Sequence, residues 1–226
     1  MPHVLDNPIY NALISAHRNF SVGTEDARHY MSEIASFAGL KNNSAQEFET
    51  LYQLSQPESL FIVFSKNQLQ IPSKWKLVKQ IDMFQLVYES NNISKSSHEL
   101  TELSEAHVDE MIALVKLTEP GPFLARAIDF GNYTGIFQEG KLVSMAGHRF
   151  NPTPYIEVSA VCTHPEHLGK GYAFDILNEQ IKRIVAKMQI PFLHVRNDNV
   201  GAIKLYQKLG FQIRTEMIAY VIRKAE

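Results

Sequence analysis

The stretch from Val161 to Ala173 reads VCTHPEHLGKGYA and predicts a strand, a short glycine loop and the first turn of a helix. Gly169 and Gly171 lie two residues apart and let the main chain approach an anion closely. The N-terminus of the helix that follows offers unpaired N–H groups and a favourable dipole. We therefore expect this junction to bind a pyrophosphate. A G-x-G motif by itself has low specificity, so the flanking sequence has to decide.

The flanking segments predict a mixed sheet around this loop. Tyr133–Phe137 and Leu142–His148 predict a hairpin, and Ile156–Val161 predicts a strand that leads into the loop. The amphipathic helix after the loop is followed by another apolar strand, Phe192–Val195. A strand, a crossover helix and a second strand imply a parallel pair of strands within the sheet.

A second motif lies further along the chain, where Asn199–Phe211 reads NVGAIKLYQKLGF. Together with the hairpin, the strand and the LGKGYA loop, it resembles the GCN5-related N-acetyltransferases, most of all the FR47-like and glycine-acyltransferase-like branch. The resemblance covers about Leu100 to Lys224, and the two motifs are specific when they occur together at this separation. It implies an α/β protein of the mixed α+β type with the acyl-CoA N-acyltransferase fold, a mixed twisted sheet flanked by helices.

The polar, serine-rich segment Ser90–Glu99 predicts a linker between two unequal halves. We predict a smaller N-terminal α/β domain over residues 1–95 and a catalytic acetyltransferase domain over residues 96–226. The first half resembles, more weakly, the degenerate acetyltransferase-like domain that precedes the catalytic one in some members of the family.

Two further segments carry secondary-structure predictions. The residues from about Glu25 to Phe37 predict a helix in the first half. Near the C-terminus, Phe211–Ile213 and Ile218–Ile222 predict the two strands of a hairpin.

Composition limits the classes of partner. The formal net charge of −2 and the pI of about 6.5 give no sign of nucleic-acid binding. Cys162 is the single cysteine, which excludes an intramolecular disulfide and suits a reducing compartment. Residues 1–11 lack the basic and apolar regions of a secretory signal, and no apolar run approaches the roughly 18 residues of a spanning helix. We expect a cytoplasmic protein with no nucleic-acid and no membrane partner, and we leave homodimer formation open.

The resemblance implies acetyl-CoA as co-substrate and assigns residues to its binding. The glycine loop would hold the pyrophosphate through backbone N–H groups, the strand before it would pair with the pantetheine arm, and an N–H near Ala160–Cys162 would face the thioester oxygen. The implied coenzyme A contacts are Val161, Cys162, Thr163, Leu168, Gly169, Lys170, Gly171, Tyr172, Ala173, Asn199 and Tyr206. The family's loop begins with Arg or Gln where this chain has Leu168, so a side-chain interaction is lost. Asn199 either contacts the cofactor or caps the helix.

Two residues are candidates for catalysis. Tyr206 resembles the family's tyrosine that protonates the departing thiolate, with packing on the apolar helix face as the alternative. Glu157 lies eleven positions before Leu168, which matches the spacing of the catalytic glutamate in histone-type members, so we predict that it is the general base. The alternative for Glu157 is a solvated glutamate on a strand. His148 and His194 are the fallback bases.

These assignments predict an N-acetyltransferase that moves an acetyl group from acetyl-CoA to a primary amine, on a small molecule or a peptide, by direct attack. The alternative is a non-catalytic acyl-CoA-binding or sensing module. A dinucleotide-binding fold is disfavoured, because it requires an acidic residue about 20 positions beyond the loop, where Pro191–His194 lie.

Two other parts of the sequence complete the predicted site. We expect Thr118–Asn132 and Arg149–Tyr155 to build the acceptor cleft. His164 and His167 form an H-x-x-H pattern, but no third ligand is in view, so we predict no metal site.

Overall fold

The computed structural model describes residues 3–90 and 96–225, and a large mixed sheet organises them. Its described strands, together with those of a small second sheet, are β1 Ser21–Gly23, β2 Ala27–Tyr30, β3 Ala38–Leu40, β4 Leu60–Ser65, β5 Trp75–Tyr88, β6 Thr101–Glu102, β7 Thr134–Gln138, β8 Lys141–His148, β9 Tyr155–Thr163, β10 Ile190–Arg196 and β11 Phe211–Lys224. The described α-helices are α1 Pro8–Ile14, α2 Ala45–Leu54, α3 Val108–Thr118, α4 Tyr172–Ala186 and α5 Val200–Leu209.

The large sheet has the strand order β4-β11-β5-β10-β9-β8-β7-β6. Neighbours pair antiparallel except β9 and β10, which are parallel and are joined through α4. Side chains of α4 and α5 pack on one face, and side chains of α1 and α3 pack in separate clusters on the other. The predicted fold class, a mixed sheet flanked by helices with one parallel pair, is confirmed.

Strands from both sides of the predicted domain boundary share this sheet. β5 comes from the first half of the chain, yet it lies between β10 and β11 of the second half and pairs with both. The predicted division into residues 1–95 and 96–226 stays a prediction. The boundary and most of the predicted linker fall on residues 91–95, outside the described residues.

The helix predicted from about Glu25 to Phe37 is wrong, because this segment contributes strand β2 to the three-stranded sheet β1-β2-β3. Gly39 of β3 explains part of the difference. A Cβ built on Gly39 would lie 2.4 Å from the Cα of Tyr10, so β3 runs directly against α1. This close approach between backbones is a long-range feature that the local apolar spacing does not contain.

The terminal hairpin is also wrong, since Phe211–Lys224 forms one strand, β11. A register shift between Ile213 and Thr215 lets the strand bend while it stays paired with β5 over its whole length. The polar residues between the two predicted strands lie at this bulge, which absorbs one extra residue without reversing the chain.

Candidate functional site

The parallel strands β9 and β10 separate part way along their length. Their pairing runs only from Ile190 opposite Tyr155 to Phe192 opposite Glu157. Beyond that point β10 continues on β5, while β9 continues on β8. The later residues of β9 therefore have a strand partner on one side only, and an opening forms in the sheet.

A cavity of about 490 Å³ occupies this opening. Residues 158–163 of β9 form one wall, and the residues from His194 to Arg196 of β10 form another, together with Asn199 and Tyr206. The remaining walls come from residues 118–122 and from strands β4, β5 and β11. Val161, Cys162, Thr163, Asn199 and Tyr206, five of the predicted cofactor contacts, thus line one cavity.

Strand β9 carries a bulge at the cavity. Met145 on β8 lies opposite Cys162, whereas Gly147, two residues on, lies opposite Ser159, three residues back. Ala160 takes up the extra residue with a φ of 53°, in the left-handed region that non-glycine residues seldom adopt. The bulge turns main-chain groups of β9 out of the regular ladder. It lies where a main-chain N–H is predicted to face the thioester oxygen. That contact stays a prediction.

The glycine loop has the conformation that anion binding needs. Gly169 and Gly171 have φ values of 77° and 85°, and Gly171 is the N-cap of α4. The backbone amides of residues 169–173 donate to no acceptor within the described part of the chain. Leu168 is 65% exposed, and its amide makes a long 3.4 Å hydrogen bond back to Pro165. The free amides fit a pyrophosphate, and the phosphate contacts themselves remain predictions.

Residues 97–98 are tied to the same helix terminus. Asp175, on the first turns of α4, accepts hydrogen bonds from the backbone and hydroxyl of Ser97 at 2.9 and 2.8 Å and from Nδ1 of His98 at 2.6 Å. The His98 ring meets Tyr172 edge to face at 4.7 Å. Burial raises the pKa of Asp175, but its hydrogen bonds outweigh that effect and lower it.

The position of Tyr206 agrees with both interpretations, a proton donor at the site and a packing residue of the core. It lines the cavity, and it also packs on the core with only 7% exposure, its ring 6.1 Å from that of Phe211. Burial and the neighbouring Cys162 raise the pKa of the phenol, so Tyr206 is protonated at neutral pH. A protonated phenol at the cavity wall is suited to donate a proton, and the catalytic role stays a prediction.

Asn199 and Cys162 have clear local roles. The Asn199 side chain accepts a 3.1 Å hydrogen bond from the amide of Ala202 and caps α5, so the capping interpretation is seen directly. Its contact with a cofactor stays a prediction. Burial raises the pKa of the Cys162 thiol to about 12, which makes a thiolate nucleophile unfavourable at neutral pH.

Glu157 is fully buried in an ion pair rather than solvated on a strand. Arg149 binds it in a fork, with Nε at 2.7 Å from Oε2 and Nη2 at 2.8 Å from Oε1. His194 Nδ1 lies 2.6 Å from Oε1. Burial raises the pKa of Glu157, but the charge and hydrogen bonds of Arg149 and the hydrogen bond of His194 outweigh it and lower the pKa to about 2.

This ion pair constrains the predicted base. A carboxylate held by three donors is a weak proton acceptor at neutral pH, and Arg149, not Glu157, lines the cavity. The fallback bases are also enclosed. Burial lowers the pKa of His148 to about 4, and burial lowers that of His194 despite the adjacent Glu157. The general-base role of Glu157 stays a prediction.

Sequence analysis missed several residues that form the cavity. Phe37 and Lys79 reach it from the first half, and neither was a predicted site residue. Residues 118–122 line it as expected, whereas residues 151–155 of the predicted cleft do not. Arg149 begins the predicted Arg149–Tyr155 cleft segment and lies where the cavity walls meet, but its pairing with Glu157 could not be predicted from sequence spacing.

The two histidines of the H-x-x-H pattern contact neighbouring polar groups. His164 Nδ1 accepts from the amide of Glu166 at 3.2 Å, and His167 lies 3.2 Å from the Lys170 ammonium. In residues 3–90 and 96–225, no group of three or more His, Cys, Asp or Glu side chains is arranged to hold a metal ion. Across the same ranges, no helix combines the length and apolar character of a membrane span.

A family model matches the part of the chain that contains both motifs. Residues 133–220 match the family model described as FR47-like protein. Over 84 residues the chain is 34% identical to the N-alpha-acetyltransferase RimI of Mycobacterium tuberculosis, an alignment that covers 36% of this chain and 52% of that protein. The chain therefore spans about half the length of this curated relative.

Solved structures match the chain over a greater length. A protein of Novosphingobium aromaticivorans assigned to the GNAT family of acetyltransferases is 27% identical, with a TM-score of 0.91 and 100% of each chain covered. A GCN5-related N-acetyltransferase of Kribbella flavida is 13% identical, with a TM-score of 0.58 and 96% of each chain covered, and this likeness shows the fold alone.

Proposed function

We propose that this chain, which belongs to the GCN5-related N-acetyltransferase superfamily with an FR47-like segment, transfers an acetyl group from acetyl-CoA to a primary amine. The observation that carries the proposal is the opening between β9 and β10. The cavity there contains the unpaired edge of β9, the bulge at Ala160 and the Tyr206 phenol. The acceptor amine belongs to a small molecule or a peptide.

The residues present fit an acyl-CoA ligand. The amides of residues 169–173 would hold the pyrophosphate, and the open edge of β9 at Val161–Thr163 would pair with the pantetheine amides. The thioester supplies an activated acyl group, so the protein needs no covalent intermediate of its own. These residues orient the ligand along the sheet opening, with its thioester end toward Tyr206.

The reaction then depends on few groups. The amine nitrogen forms a bond to the thioester carbonyl carbon, and a main-chain N–H near Ala160 stabilises the oxygen of the tetrahedral intermediate. The carbon–sulfur bond breaks, the Tyr206 hydroxyl gives its proton to the sulfur and regains one from solvent, and the amine loses one proton to a base or to water. Glu157 would serve as that base only if Arg149 and His194 released it, so water relayed to bulk solvent is the simpler acceptor.

A non-catalytic acyl-CoA-binding module is the second candidate. The enclosure of Glu157 and the exposed Leu168 at the head of the glycine loop favour it. The two functions predict different results when purified protein is given acetyl-CoA and a panel of primary amines, with free thiol followed over time. Amine-dependent release of coenzyme A supports the transferase, whereas binding by calorimetry without release supports the module. Absence of binding would contradict both.

A further inference from the structure

Arg149 lies at the junction of two cavities. Its side chain lines both the cavity between β9 and β10 and a smaller neighbouring cavity. Ser159 and Ala160, the residues at the β9 bulge, also line both. Arg149 is therefore next to the place where the proposed reaction occurs.

The guanidinium of Arg149 is held rigidly. Two of its nitrogens bind Glu157, and its Cζ lies 4.9 Å from the ring centre of Phe37 and 4.6 Å from that of Phe150. Because Glu157 is fixed in turn by His194, the orientation of the whole group is set before any ligand binds. A preorganised donor loses little entropy when it binds a ligand.

One nitrogen of this guanidinium is unused. Nε and Nη2 make the bonds to Glu157, and Nη1 makes no hydrogen bond to any described residue. The side chain is 15% exposed while its partner Glu157 is completely buried. A cationic N–H that faces a cavity is a charge-assisted hydrogen-bond donor for a ligand oxygen.

The smaller cavity beside Arg149 is largely apolar. Its lining includes side chains of Ile34, Phe37, Phe123, Leu124 and Phe130, contributed by the first half of the chain and by the loop and 3-10 helix after α3. This cavity has a volume of about 20 Å³, so only the end of an apolar group on a ligand in the larger cavity reaches these hydrocarbon and aromatic surfaces.

We propose that Arg149 binds the acceptor through a carbonyl oxygen on the carbon next to its amine, so that the substrate is an α-amino amide with an apolar side chain, free or at the start of a peptide. The inference rests on the proposed transferase function. Glu157 already balances the charge of Arg149, so a neutral carbonyl accepts from Nη1 without adding charge. A carboxylate would place a second negative charge in this buried site, which is unfavourable.

Three acceptors that share one side chain test the proposal: leucinamide, leucine and 3-methylbutylamine, which lacks the carbonyl group. Rates are compared at equal concentrations of the unprotonated amine, since the three amines differ in basicity. We expect wild-type kcat/KM to be about tenfold to a hundredfold higher for leucinamide than for 3-methylbutylamine, through KM. Leucine should be a poorer acceptor than leucinamide.

Variants assign the preference to Arg149. Arg149→Lys keeps a positive charge beside Glu157 but loses the forked geometry, and Arg149→Gln combined with Glu157→Gln removes both charges and avoids an unpaired buried ion. Both should reduce the preference for leucinamide to within about threefold of unity, with the Kd for coenzyme A unchanged. Arg183→Lys, on the outer side of α4, is the matched control and should leave the preference intact.

Several results would overturn the proposal. A wild-type protein that uses 3-methylbutylamine as well as leucinamide, or leucine better than leucinamide, has no neutral-carbonyl site. A preference that survives in both Arg149 variants, each shown to be folded by circular dichroism, places that site elsewhere. These results leave the transferase function standing, whereas the absence of thiol release with every amine removes the function and this inference together.

Discussion

His194 Nδ1 lies 2.6 Å from Glu157 Oε1, although the parallel register of β9 and β10 places Phe192, not His194, opposite Glu157. Residues two apart on a strand point to the same face, so the two side chains meet diagonally across the pair. On the far side of His194, Gln85 Nε2 lies 3.0 Å from Nε2 and donates to the Leu5 carbonyl at 2.9 Å. Because Gln85 Nε2 donates to His194 Nε2, the ring proton lies on Nδ1, which donates it to the Glu157 carboxylate.

The first prediction concerns Glu157→Gln. The carboxyl titrates near 4.5 when unfolded and near 2 when folded, so the unfolded state binds more protons between these values. The stability from Glu157 is therefore complete above pH 4.5 and is lost as the pH falls toward 2. We expect Glu157→Gln to cost about 3–5 kcal/mol at neutral pH by leaving Arg149 unpaired, and to flatten this acid dependence.

Urea denaturation across this range measures both effects, with the exposed Glu139→Gln as control. Parallel profiles for wild type and Glu157→Gln would contradict the prediction.

The second prediction concerns Tyr206→Phe. Loss of the hydroxyl should lower kcat by roughly 100-fold, because the thiolate then leaves without its proton donor, while the Kd for acetyl-CoA changes little. Stopped assays of thiol release and calorimetry separate the two quantities. Tyr52→Phe, on α2 and remote from the cavity, controls for the loss of a hydroxyl. An unchanged kcat would leave Tyr206 with packing alone.

The third prediction compares two glycines of similar conformation. Gly171 and Gly140 have φ values of 85° and 74°, and an added Cβ meets nothing closer than 3.9 Å at the former and nothing within 4 Å at the latter. Alanine at either position should cost about 1 kcal/mol of stability through backbone strain. Only Gly171→Ala should also weaken coenzyme A binding, because it disturbs the free amides at the start of α4. Equal Kd values for both variants would remove this loop from the phosphate site.

The fourth prediction concerns His17. Its ring stacks on Phe130 at 5.3 Å and lies 2.9 Å from the Tyr30 hydroxyl, and burial lowers its pKa from 6.5 to about 4. The unfolded state takes up the proton first as the pH falls, so stability decreases from pH 6.5 down to about 4, by up to about 3 kcal/mol. His17→Gln should lose the part of this dependence that His17 contributes, while buried His148 still contributes over the same range, and His107→Gln should keep the whole dependence. Thermal melts between about pH 4 and 6.5 measure this dependence. If stability changes with pH in His17→Gln as it does in wild type, another group is responsible for the titration.

Local sequence signals predicted the elements that hold the site. Gly210, near the end of the second motif, ends α5 with a φ of 103°. The glycine loop and the apolar stripe of α4 predicted the parallel crossover, because each signal lies within a few residues of the element that it specifies. The structure has these elements in the predicted order.

The contacts that define the cavity have longer range. Arg149 and Glu157 meet across the turn between β8 and β9, and His194 joins them from 37 residues away, so their pairing depends on sheet register. Phe37 reaches the cavity beside β4, where it forms an isolated parallel bridge with Ile62 that the apolar spacing of the first half does not reveal. The alternative for Glu157, a solvated glutamate on a strand, is wrong for the same reason, since a strand sequence does not specify what covers its face.

The position of β5 has a consequence for how the chain can be cut. This strand of 14 residues is bonded to β10 on one edge and to β11 on the other, so it is a structural component of the half that carries the glycine loop. A protease that cleaves between Ser90 and Glu99 should leave two fragments that stay associated and co-elute. Expressed separately, the C-terminal fragment would expose both edges of β11 and one edge of β10 and should aggregate, and supplying the N-terminal fragment in trans should restore its solubility.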